Sequence, residues 1–258
     1  MSILTEMAED LTHNSEIFNR TERLLGAEAM EQLRHARVII FGVGGVGSWA
    51  AEALARTGVG HLTLVDADRV AVTNINRQAE ATVATVGEVK VEAMARRLRE
   101  ISPDISLALR AERYTAATAG NFSLEQYDFI IDAIDALADK SALILHAASL
   151  QGPGFASSMG AALRIDPTRV KVAEFWKVQG CPLAAALRSR FRRSGIRPRR
   201  KVQCVYSDEP ALPNLGDAVA DDGAMTYNKA AVNGSLCHIT AVFGMNLAAL
   251  AVRHIIGA

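Results

Sequence analysis

The sequence predicts an α/β fold in which a mostly parallel β-sheet carries helices on both faces. Short, mainly apolar runs such as Val38–Phe41 and Tyr127–Ile134 are typical of strands that are buried in a parallel sheet. Stretches of helical length lie between such runs, among them the alanine-rich Ser48–Arg56. Because parallel neighbours need a long crossover connection, strands that alternate with helices in this way indicate βαβ units.

The first 150 residues contain most of these elements. The apolar spacing predicts strands over Val38–Phe41, His61–Val65, Ile105–Leu109 and Tyr127–Ile134. It predicts helices over Glu16–Arg34, Ser48–Arg56, Gly87–Ile101, Thr115–Gln126 and Ala136–Leu150. Pro103 ends the third of these helices, since proline cannot donate the next helical hydrogen bond. Thr73–Gln78 has no periodicity and is expected to form a loop.

The composition changes past residue 150. Strands are expected over Gly154–Met159, Arg169–Glu174 and Val202–Ser207, with helices over Pro182–Arg193 and Ser235–Ile256. The segment Asp208–Gly234 contains two prolines and several glycines without periodicity, and loops of that length usually carry function or lack fixed structure. The final helix is strongly apolar, which favours a buried core or dimer helix.

The composition excludes several classes of protein. The chain has 28 basic and 28 acidic side chains, so no overall field attracts it to nucleic acid or to an anionic membrane. The three cysteines form no C-x-x-C pair, which argues against a zinc site and favours the reducing cytoplasm. The apolar stretch Ile239–Val252 is shorter than the roughly 18 residues of an integral membrane span. Peripheral association with a membrane is left open.

A glycine-rich turn follows the first strand and indicates a nucleotide site. Gly42, Gly44 and Gly47 have the G-x-G-x-x-G spacing, with Gly45 between them. Glycines at these points let backbone N–H groups approach a phosphate at the N-terminus of the next helix. The second strand ends in Asp66, a position from which a carboxylate can accept hydrogen bonds from ribose hydroxyls. Strand, glycines, helix, strand and acid together predict a Rossmann-like unit.

Polar side chains that follow other strands of the predicted sheet help to identify the nucleotide that binds. They are Asn74, Arg77, Gln78, Lys90, Asp132 and Asp135. Because the carboxyl ends of parallel strands meet at one edge, all of them can reach the carboxyl edge of the sheet, where ligands bind. A triphosphate needs fixed cations, which Arg77 and Lys90 supply, and a carboxylate for Mg²⁺, which Asp135 supplies. Taken singly, the cations could be solvated surface charges and the acids helix caps.

Five motifs in order resemble those of the ubiquitin-activating-enzyme-like (ThiF-type) adenylyltransferases, which activate a carboxylate with ATP and release pyrophosphate. They are GVGGVG, LVDAD, TNINRQ, VGEVKVEAMARRL and DAIDA, within residues 18–150. The resemblance implies that the glycine loop, Asp66, Asp68, Asn74, Arg77 and Lys90 bind ATP and that Asp135 binds Mg²⁺. It also implies a homodimer in which Arg20, in FNRTERLLG, completes the neighbouring subunit's site. Arg20, Arg77, Lys90 and Asp135 would then be the catalytic set.

The second half is similar to one branch of that family, the bacterial tRNA threonylcarbamoyladenosine dehydratases. IDPTRVKV, CPLAAALRSRFRR and VQCVYSDE carry the likeness. These enzymes adenylate the threonyl carboxylate of a modified adenosine beside the anticodon, and an internal nitrogen then displaces AMP and closes a ring. The resemblance implies one domain over 16–258, with a nucleotide half to about 150 and a substrate and dimer half beyond. A sulfur-relay protein partner stays open.

Two other functions compete with this interpretation. Members of the family that activate a ubiquitin-like sulfur-carrier protein usually carry paired C-x-x-C zinc ligands, and this sequence has none. A non-catalytic nucleotide-binding scaffold would not need the catalytic set. Cys204, in VQCVYS, could accept an acyl group as a thiolate, but a cysteine in an apolar strand is more often inert.

A basic segment, Arg188–Lys201, favours an RNA substrate. Its cations are Arg188, Arg190, Arg192, Arg193, Arg197, Arg199, Arg200 and Lys201, and it contains no acid. Such a cluster on a neutral protein is typical of a phosphate-binding surface, so we expect it to contact tRNA. A solvated helix face followed by a basic loop is the alternative. Phe191 is the only aromatic residue here, so the segment itself predicts no base stacking.

Overall fold

A computed structural model describes residues 14–216 and 233–258. Its strands are β1 (Arg37–Phe41), β2 (His61–Val65), β3 (Ser106–Arg110), β4 (Phe129–Asp132), β5 (Gly154–Ser158), β6 (Val170–Glu174) and β7 (Gln203–Ser207). They form one sheet in the order β3-β2-β1-β4-β5-β7-β6. Every neighbouring pair is parallel except β6 and β7, which are antiparallel. The predicted mostly parallel sheet is therefore confirmed.

The helices lie on both faces of this sheet, as predicted. They are α1 (Asn14–Ile17), α2 (Asn19–Leu25), α3 (Ala27–His35), α4 (Gly47–Thr57), α5 (Lys90–Ile101), α6 (Leu137–Ala147), α7 (Pro182–Ser194) and α8 (Cys237–Ile255). Alternate strand residues face opposite sides. In β1, Val38 and Ile40 join a core with α3, α4, α5 and α8, whereas Ile39 and Phe41 join a second core with α6 and α7.

The C-terminal helix α8 packs closely against the first turn of α4. A Cβ on Gly244 would lie 2.6 Å from the carbonyl oxygen of Val46, so only glycine allows this approach. Ile239, Phe243 and Leu247 of α8 are fully buried. This confirms the prediction of a buried core helix. No helix in the described residues is long and apolar enough to cross a membrane.

Two sequence-based predictions of helices differ from the structure. Thr115–Gln126 was expected to be one helix, and that prediction is wrong, because the segment forms turns and two short 3₁₀ helices joined at Ser123, whose φ is +43°. The hydroxyls of Thr115 and Thr118 accept backbone N–H groups and so compete with a helix. Glu16–Arg34 is divided at Gly26, whose φ is +84°. Much of the expected long loop, residues 217–232, lies outside the described residues.

Candidate active site

The glycine loop joins β1 to α4 at the carboxyl edge of the sheet. It lies beside the boundary between β1 and β4, where the strand order reverses and where α/β proteins bind their ligands. Gly42 has a φ of +86°, and a Cβ there would lie 2.8 Å from the Ala133 carbonyl oxygen. A Cβ on Gly47 would lie 1.8 Å from the Gly42 carbonyl oxygen. Both positions therefore require glycine.

Asp66 holds this loop from the end of β2. Its Oδ2 accepts the Val43 amide at 2.7 Å, and its Oδ1 accepts the Asp68 amide at 2.9 Å. Burial raises the pKa of Asp66, and the charge of Lys90 opposes that change. Each carboxylate oxygen keeps a second lone pair, so the expected contact with a ribose hydroxyl stays a prediction.

Four consecutive amides of the loop remain available for a ligand. The N–H groups of Gly44, Gly45, Val46 and Gly47 donate to no acceptor in the described part of the chain. They precede or begin α4, where the helix dipole adds partial positive charge. Gly45 is also close to neighbouring side chains, since a Cβ there would lie 3.2 Å from Thr240 Cγ2 and 3.4 Å from Arg77 Cγ. The loop is thus shaped and charged to bind an anion.

Lys90, the first residue of α5, lies at the same edge. Its Nζ is 3.0 Å from Asp68 Oδ2, and its side chain is buried. Burial lowers the pKa of Lys90, but the carboxylates of Asp66 and Asp68 outweigh that effect and raise the pKa overall. The ammonium is therefore charged. Asp68 is only partly buried, so Lys90 can exchange this carboxylate for a phosphate oxygen without losing a charge partner.

The loop after β2 holds Arg77 in a fixed orientation. Trp49 Nε1 donates to the Arg77 carbonyl oxygen at 2.9 Å, and the Arg77 guanidinium donates to the Thr73 carbonyl oxygen and to Asn76 Oδ1, each at 2.8 Å. Burial lowers the pKa of Arg77, whereas the charge of Asp135 opposes the change. Arg77 and Asp135, predicted from separate motifs, are thus electrostatic neighbours.

Asn74 stabilises this loop as well. The side chain is buried and its Oδ1 accepts the Ala71 amide at 3.0 Å. The Asn74 carbonyl oxygen accepts the amides of Arg77 and Gln78. Only the Asn74 side-chain N–H₂ group is left to donate to a ligand. The predicted nucleotide contact of Asn74 can therefore use that group as a donor, or the second lone pair of Oδ1 as an acceptor.

The two acids after β4 have different environments. Asp135 is exposed at the carboxyl edge. Asp132 is completely buried and accepts Lys140 Nζ at 2.7 Å, Ser157 Oγ at 2.6 Å and the Ile134 amide at 3.0 Å. Asp132 lies at the predicted carboxyl edge, as the last residue of β4, but its oxygens are enclosed by these partners and face the interior. Asp132 instead fixes the turn that presents Asp135.

Asp135 fits the role of a Mg²⁺ ligand. Mg²⁺ is usually bound by one or two carboxylates together with substrate phosphates and waters. Among residues 14–216 and 233–258, no group of three or more histidine, cysteine, aspartate or glutamate side chains could hold a metal by itself. A single carboxylate beside an anion-binding loop is the arrangement expected when the phosphates bring the remaining ligands.

Arg20 does not lie at the glycine loop of its own chain. Phe18, two residues earlier, packs beside Gly58 at the C-terminal end of α4, whereas the glycine loop lies at the N-terminal end. An 11-residue helix is about 16 Å long. Arg20 is exposed on α2, near the opposite edge of the sheet. Within one subunit the structure therefore separates Arg20 from Arg77, Lys90 and Asp135.

Glu80 is a charged residue of this region that the sequence analysis did not identify. Glu80 is 2% exposed, and neither carboxylate oxygen makes a hydrogen bond of normal geometry in the described part of the chain, although the Ser48 hydroxyl is near enough to oppose the rise in its pKa. Burial raises the pKa of Glu80 to about 8, with Lys90 opposing and Asp66 adding to the shift. No sequence motif marks Glu80. Its position two residues after TNINRQ was the only available signal.

Cys204 is an unfavourable nucleophile. It lies in β7, fully buried, and its Sγ is 3.8 Å from the Val202 carbonyl oxygen. Burial raises the pKa of the Cys204 thiol well above its ordinary value. Since the thiolate is the reactive form, this environment suppresses attack by Cys204 on an acyl group.

The basic segment is directed away from the glycine loop. Cys181, just before α7, is close to Gly160 after β5, so α7 begins near the carboxyl edge and runs towards the amino edge. Arg200 donates to the carbonyl oxygens of Ala147 and Pro153, and Pro153 immediately precedes β5. Arg200 and Arg188, which donates to two backbone carbonyls, therefore act in packing.

The comparison with known families agrees with this arrangement. A model of the ThiF family matches residues 18–258. The chain belongs to the ThiF family. This confirms the resemblance on which the site residues were assigned.

Individual ThiF-family relatives match most of the chain. The tRNA threonylcarbamoyladenosine dehydratase of Bacillus subtilis (strain 168) is 42% identical over 195 residues, which cover 76% of this chain and 76% of the relative. The enzyme of that name from Escherichia coli (strain K12) is 37% identical over 248 residues, which cover 92% of this chain and 91% of the relative. These relatives therefore match both the nucleotide-binding half of this chain and the half beyond residue 150.

Solved structures support the same fold. The crystal structure of the E. coli tRNA N6-threonylcarbamoyladenosine dehydratase with AMP has a TM-score of 0.83 and 35% sequence identity, covering 94% of this chain and 95% of that chain. The complex of that enzyme with ATP has a TM-score of 0.82 at the same identity and coverage. The ThiF-type α/β fold predicted from the motifs is confirmed.

Proposed function

We propose that this ThiF-family protein is an ATP-dependent tRNA threonylcarbamoyladenosine dehydratase. The observation that carries the proposal is that relatives of this name match both halves of the chain, including the half that follows the nucleotide site. The arrangement of charges is consistent with it. Free loop amides, Lys90 and Arg77 converge on one edge of the sheet, and Asp135 lies beside them.

The first step would be adenylation of the threonyl carboxylate. A carboxylate oxygen attacks the α-phosphorus of ATP, the bond to the β-phosphate oxygen breaks, and pyrophosphate leaves. Negative charge grows on the leaving pyrophosphate, and Lys90 and Arg77 would stabilise it. The amides of Gly44 and Gly45 hold the phosphates without any change in protonation. Asp66, Asp68 and Asn74 complete the nucleotide contacts.

The second step would close the ring. A nitrogen of the substrate's own threonylcarbamoyl group attacks the activated acyl carbon and releases its proton to solvent. The acyl C–O bond breaks, and AMP leaves with the oxygen of the original carboxylate. The net change is the loss of one water from the nucleoside. No protein nucleophile is needed, which agrees with the suppressed reactivity of Cys204.

Mg²⁺ would be held by Asp135 together with the phosphates. The ion supplies positive charge that neutralises the phosphate oxygens during transfer. Within this chain, Asp135 supplies the carboxylate, and Asp132 keeps that carboxylate in position through the Ile134 amide. Arg77 lies close enough to Asp135 to balance its charge.

Arg20 would act across a homodimer. Because α2 places Arg20 far from the glycine loop of its own subunit, a contact with ATP requires the loop of a second subunit. An arginine that is inserted only in the assembled dimer would make activity depend on association. The half of the chain beyond residue 150 would supply the substrate contacts and part of the dimer surface.

The alternative is adenylation of a ubiquitin-like sulfur-carrier protein. It shares the first step and the same nucleotide site. It is less well supported, because the relatives that match most of the chain carry the dehydratase name. It also leaves the exposed arginines of the basic segment without a role.

Nucleoside mass spectrometry tests the proposal. tRNA carrying threonylcarbamoyladenosine is incubated with the protein and Mg·ATP, digested and analysed. We expect the modified nucleoside to lose the mass of one water, with AMP formed in equal amount. tRNA that lacks the threonylcarbamoyl group is the matched control and should give no AMP. Unchanged nucleoside, together with adenylation of a small carrier protein, would favour the alternative.

A further inference from the structure

Trp176 forms an aromatic surface feature together with two arginines. It lies in the 3₁₀ turn Phe175–Lys177 that follows β6, and the residue is 36% exposed. The Cζ atoms of Arg192 and Arg197 lie 5.9 Å and 5.4 Å from the centre of the indole ring. Phe175, beneath the turn, packs edge-on against Trp176 and so fixes the turn in the core. The indole is thus held by the fold and flanked by guanidinium groups.

The cations around Trp176 lack acidic partners. They are Lys177, Arg190, Arg192, Arg193, Arg197, Arg199 and Lys201, and all of them are exposed. Within the ranges that the structure describes, none of them forms a salt bridge, whereas elsewhere Arg96 pairs with Glu88 and Arg113 with Asp139. Unpaired like charges repel one another, and the neighbouring Glu174 carboxylate accepts the Trp176 amide instead of forming a salt bridge, so this surface favours an anion.

This surface lies at the edge of the sheet opposite the glycine loop. Glu174, the last residue of β6, pairs with Gln203, the first residue of β7. Since β7 is parallel to the central strands, Trp176 lies beyond their amino ends. A five-residue strand is about 17 Å long, so the indole and the nucleotide site are separated by at least that distance. A ligand that reaches both edges must be large.

We propose that Trp176, Arg192 and Arg197 form a contact site for an unpaired RNA base, with the surrounding cations binding the adjoining phosphates. Bases that are not paired stack on aromatic rings and on guanidinium planes, and such stacking tolerates any base. An incoming base displaces one guanidinium from the indole, and that arginine then binds the base's phosphate. The identity of the RNA as tRNA rests on the proposed function. tRNA would then be held at two edges of the protein.

Charge and packing favour RNA over a membrane. Ala184, Leu187 and Phe191 of α7 are buried against the sheet and Leu183 is half-buried, so the outward face of the helix carries no large apolar side chain, and the exposed Ile196 beyond it is a single aliphatic residue rather than a stripe. A helix that lies on a membrane needs such a stripe facing outwards. The surface instead presents many positive charges around one indole, which is the composition of a single-strand binding site.

Binding of tRNA to variants of the full-length protein tests the site. We expect Trp176→Ala to weaken binding of an unmodified tRNA transcript by about 5- to 100-fold, since stacking on one aromatic ring contributes that much. Trp176→Tyr keeps a ring and should restore most of the affinity. Trp176→Leu keeps apolar volume without a ring and should behave like alanine, which separates stacking from folding.

The salt dependence separates the stacked base from the phosphates. The Arg192→Gln/Arg197→Gln variant should flatten the dependence of tRNA affinity on salt, whereas Trp176→Ala should leave that slope unchanged. Arg99→Gln, an exposed cation at the end of α5 on the other face of the sheet, is the matched control and should change neither. ATP affinity should be the same in every variant, because the nucleotide site lies at the other edge.

Several outcomes would overturn the site. They are unchanged tRNA affinity in Trp176→Ala and in Trp176→Leu, or a loss of binding to anionic lipid vesicles with no loss of binding to tRNA. The experiment distinguishes failure of this site from failure of the proposed function. If the variants show that tRNA binding depends on the ring but no dehydrated product forms, the contact site is supported and the proposed function is contradicted. If dehydrated product forms and the variants bind tRNA unchanged, the proposed function is supported and the contact site is contradicted.

Discussion

Lys140 Nζ lies 2.7 Å from Asp132 Oδ2, and both side chains are completely buried. Ser157 and the Ile134 amide donate to the same carboxylate, so its lone pairs are well satisfied. The pair connects β4, β5 and α6 directly beneath the turn that carries Asp135. A buried ion pair of this kind is strongly destabilised when one partner is removed, because the other charge is left without compensation.

We therefore expect Lys140→Met to lower the free energy of unfolding by about 3–5 kcal/mol, as measured by urea denaturation. The double variant Lys140→Met/Asp132→Asn leaves no buried charge and should be more stable than Lys140→Met alone. If the double variant is the less stable of the two, the uncompensated charge is not the cause. Replacing exposed Lys171, which pairs with Asp208 at the surface, should change stability much less.

The buried carboxyl of Glu80 should make stability depend on pH. Its pKa is 4.5 when unperturbed and is raised to about 8 in the folded protein. Between these values the unfolded chain has lost the proton while the folded chain keeps it, so stability falls as pH rises and levels off above about 8. The slope from this one group is at most about 1.4 kcal/mol per pH unit. Glu80→Gln cannot ionise and should lack this fall.

Thermal unfolding of both proteins at about pH 5 and about pH 8.5 measures the effect. Glu80→Gln should gain in melting temperature relative to the wild type at the higher pH. Equal differences at the two values would show that Glu80 ionises normally. Glu88→Gln, a partly exposed carboxylate that pairs with Arg96, is a suitable control for the change in net charge.

Removal of Lys90 should affect the rate of AMP transfer more than the fold. A preorganised charge of this kind typically contributes on the order of 100-fold or more to the rate. We expect Lys90→Ala, Arg77→Ala and Asp135→Ala each to lose AMP formation to that extent while keeping the circular-dichroism spectrum of the wild type. Near-normal turnover in any of them would remove that residue from the catalytic set. Arg253→Ala, on α8, is an exposed cation for comparison.

Arg20 and Asp135 should complement each other between subunits. Neither Arg20→Ala nor Asp135→Ala is expected to be active alone. Mixed and allowed to exchange subunits, the two variants should regain part of the activity, because each mixed dimer contains one site with both residues. If subunit exchange is demonstrated by labelled protein and no activity returns, Arg20 does not act in the partner's site. Mixing either variant with itself is the control.

Much of the site was predictable from the sequence because local sequence determines it. Gly42 and Gly47 are needed by the turn itself, and the apolar runs fix the strands whose ends carry Asp66 and Asp135. Parallel strand order then places all of these at one edge. The elements that were predicted correctly are those whose defining sequence pattern, a glycine spacing or an apolar run, spans only a few residues.

What the sequence did not predict depends on distant partners. Asp132 resembles an edge acid until Lys140 and Ser157 enclose it. Trp176 and Arg197 belong to different segments, so their contact is invisible in either one. Arg200 resembles its basic neighbours, yet it donates to carbonyls about 50 residues earlier in the chain. In each of these three examples, a contact with a residue distant in sequence determines the role of the side chain.

The two hydrogen bonds of Asp66 have a kinetic consequence. The bond from the Val43 amide ties the start of the glycine loop to the end of β2, and the bond from the Asp68 amide holds the Asp66 carboxylate itself, both without help from a ligand. The phosphate cradle is therefore already assembled, so binding costs little chain entropy and no closing motion of the loop precedes chemistry. A preorganised site of this kind binds the products about as tightly as it binds ATP. We expect the release of pyrophosphate and AMP, and not any movement of the loop, to be the rate-limiting step of turnover.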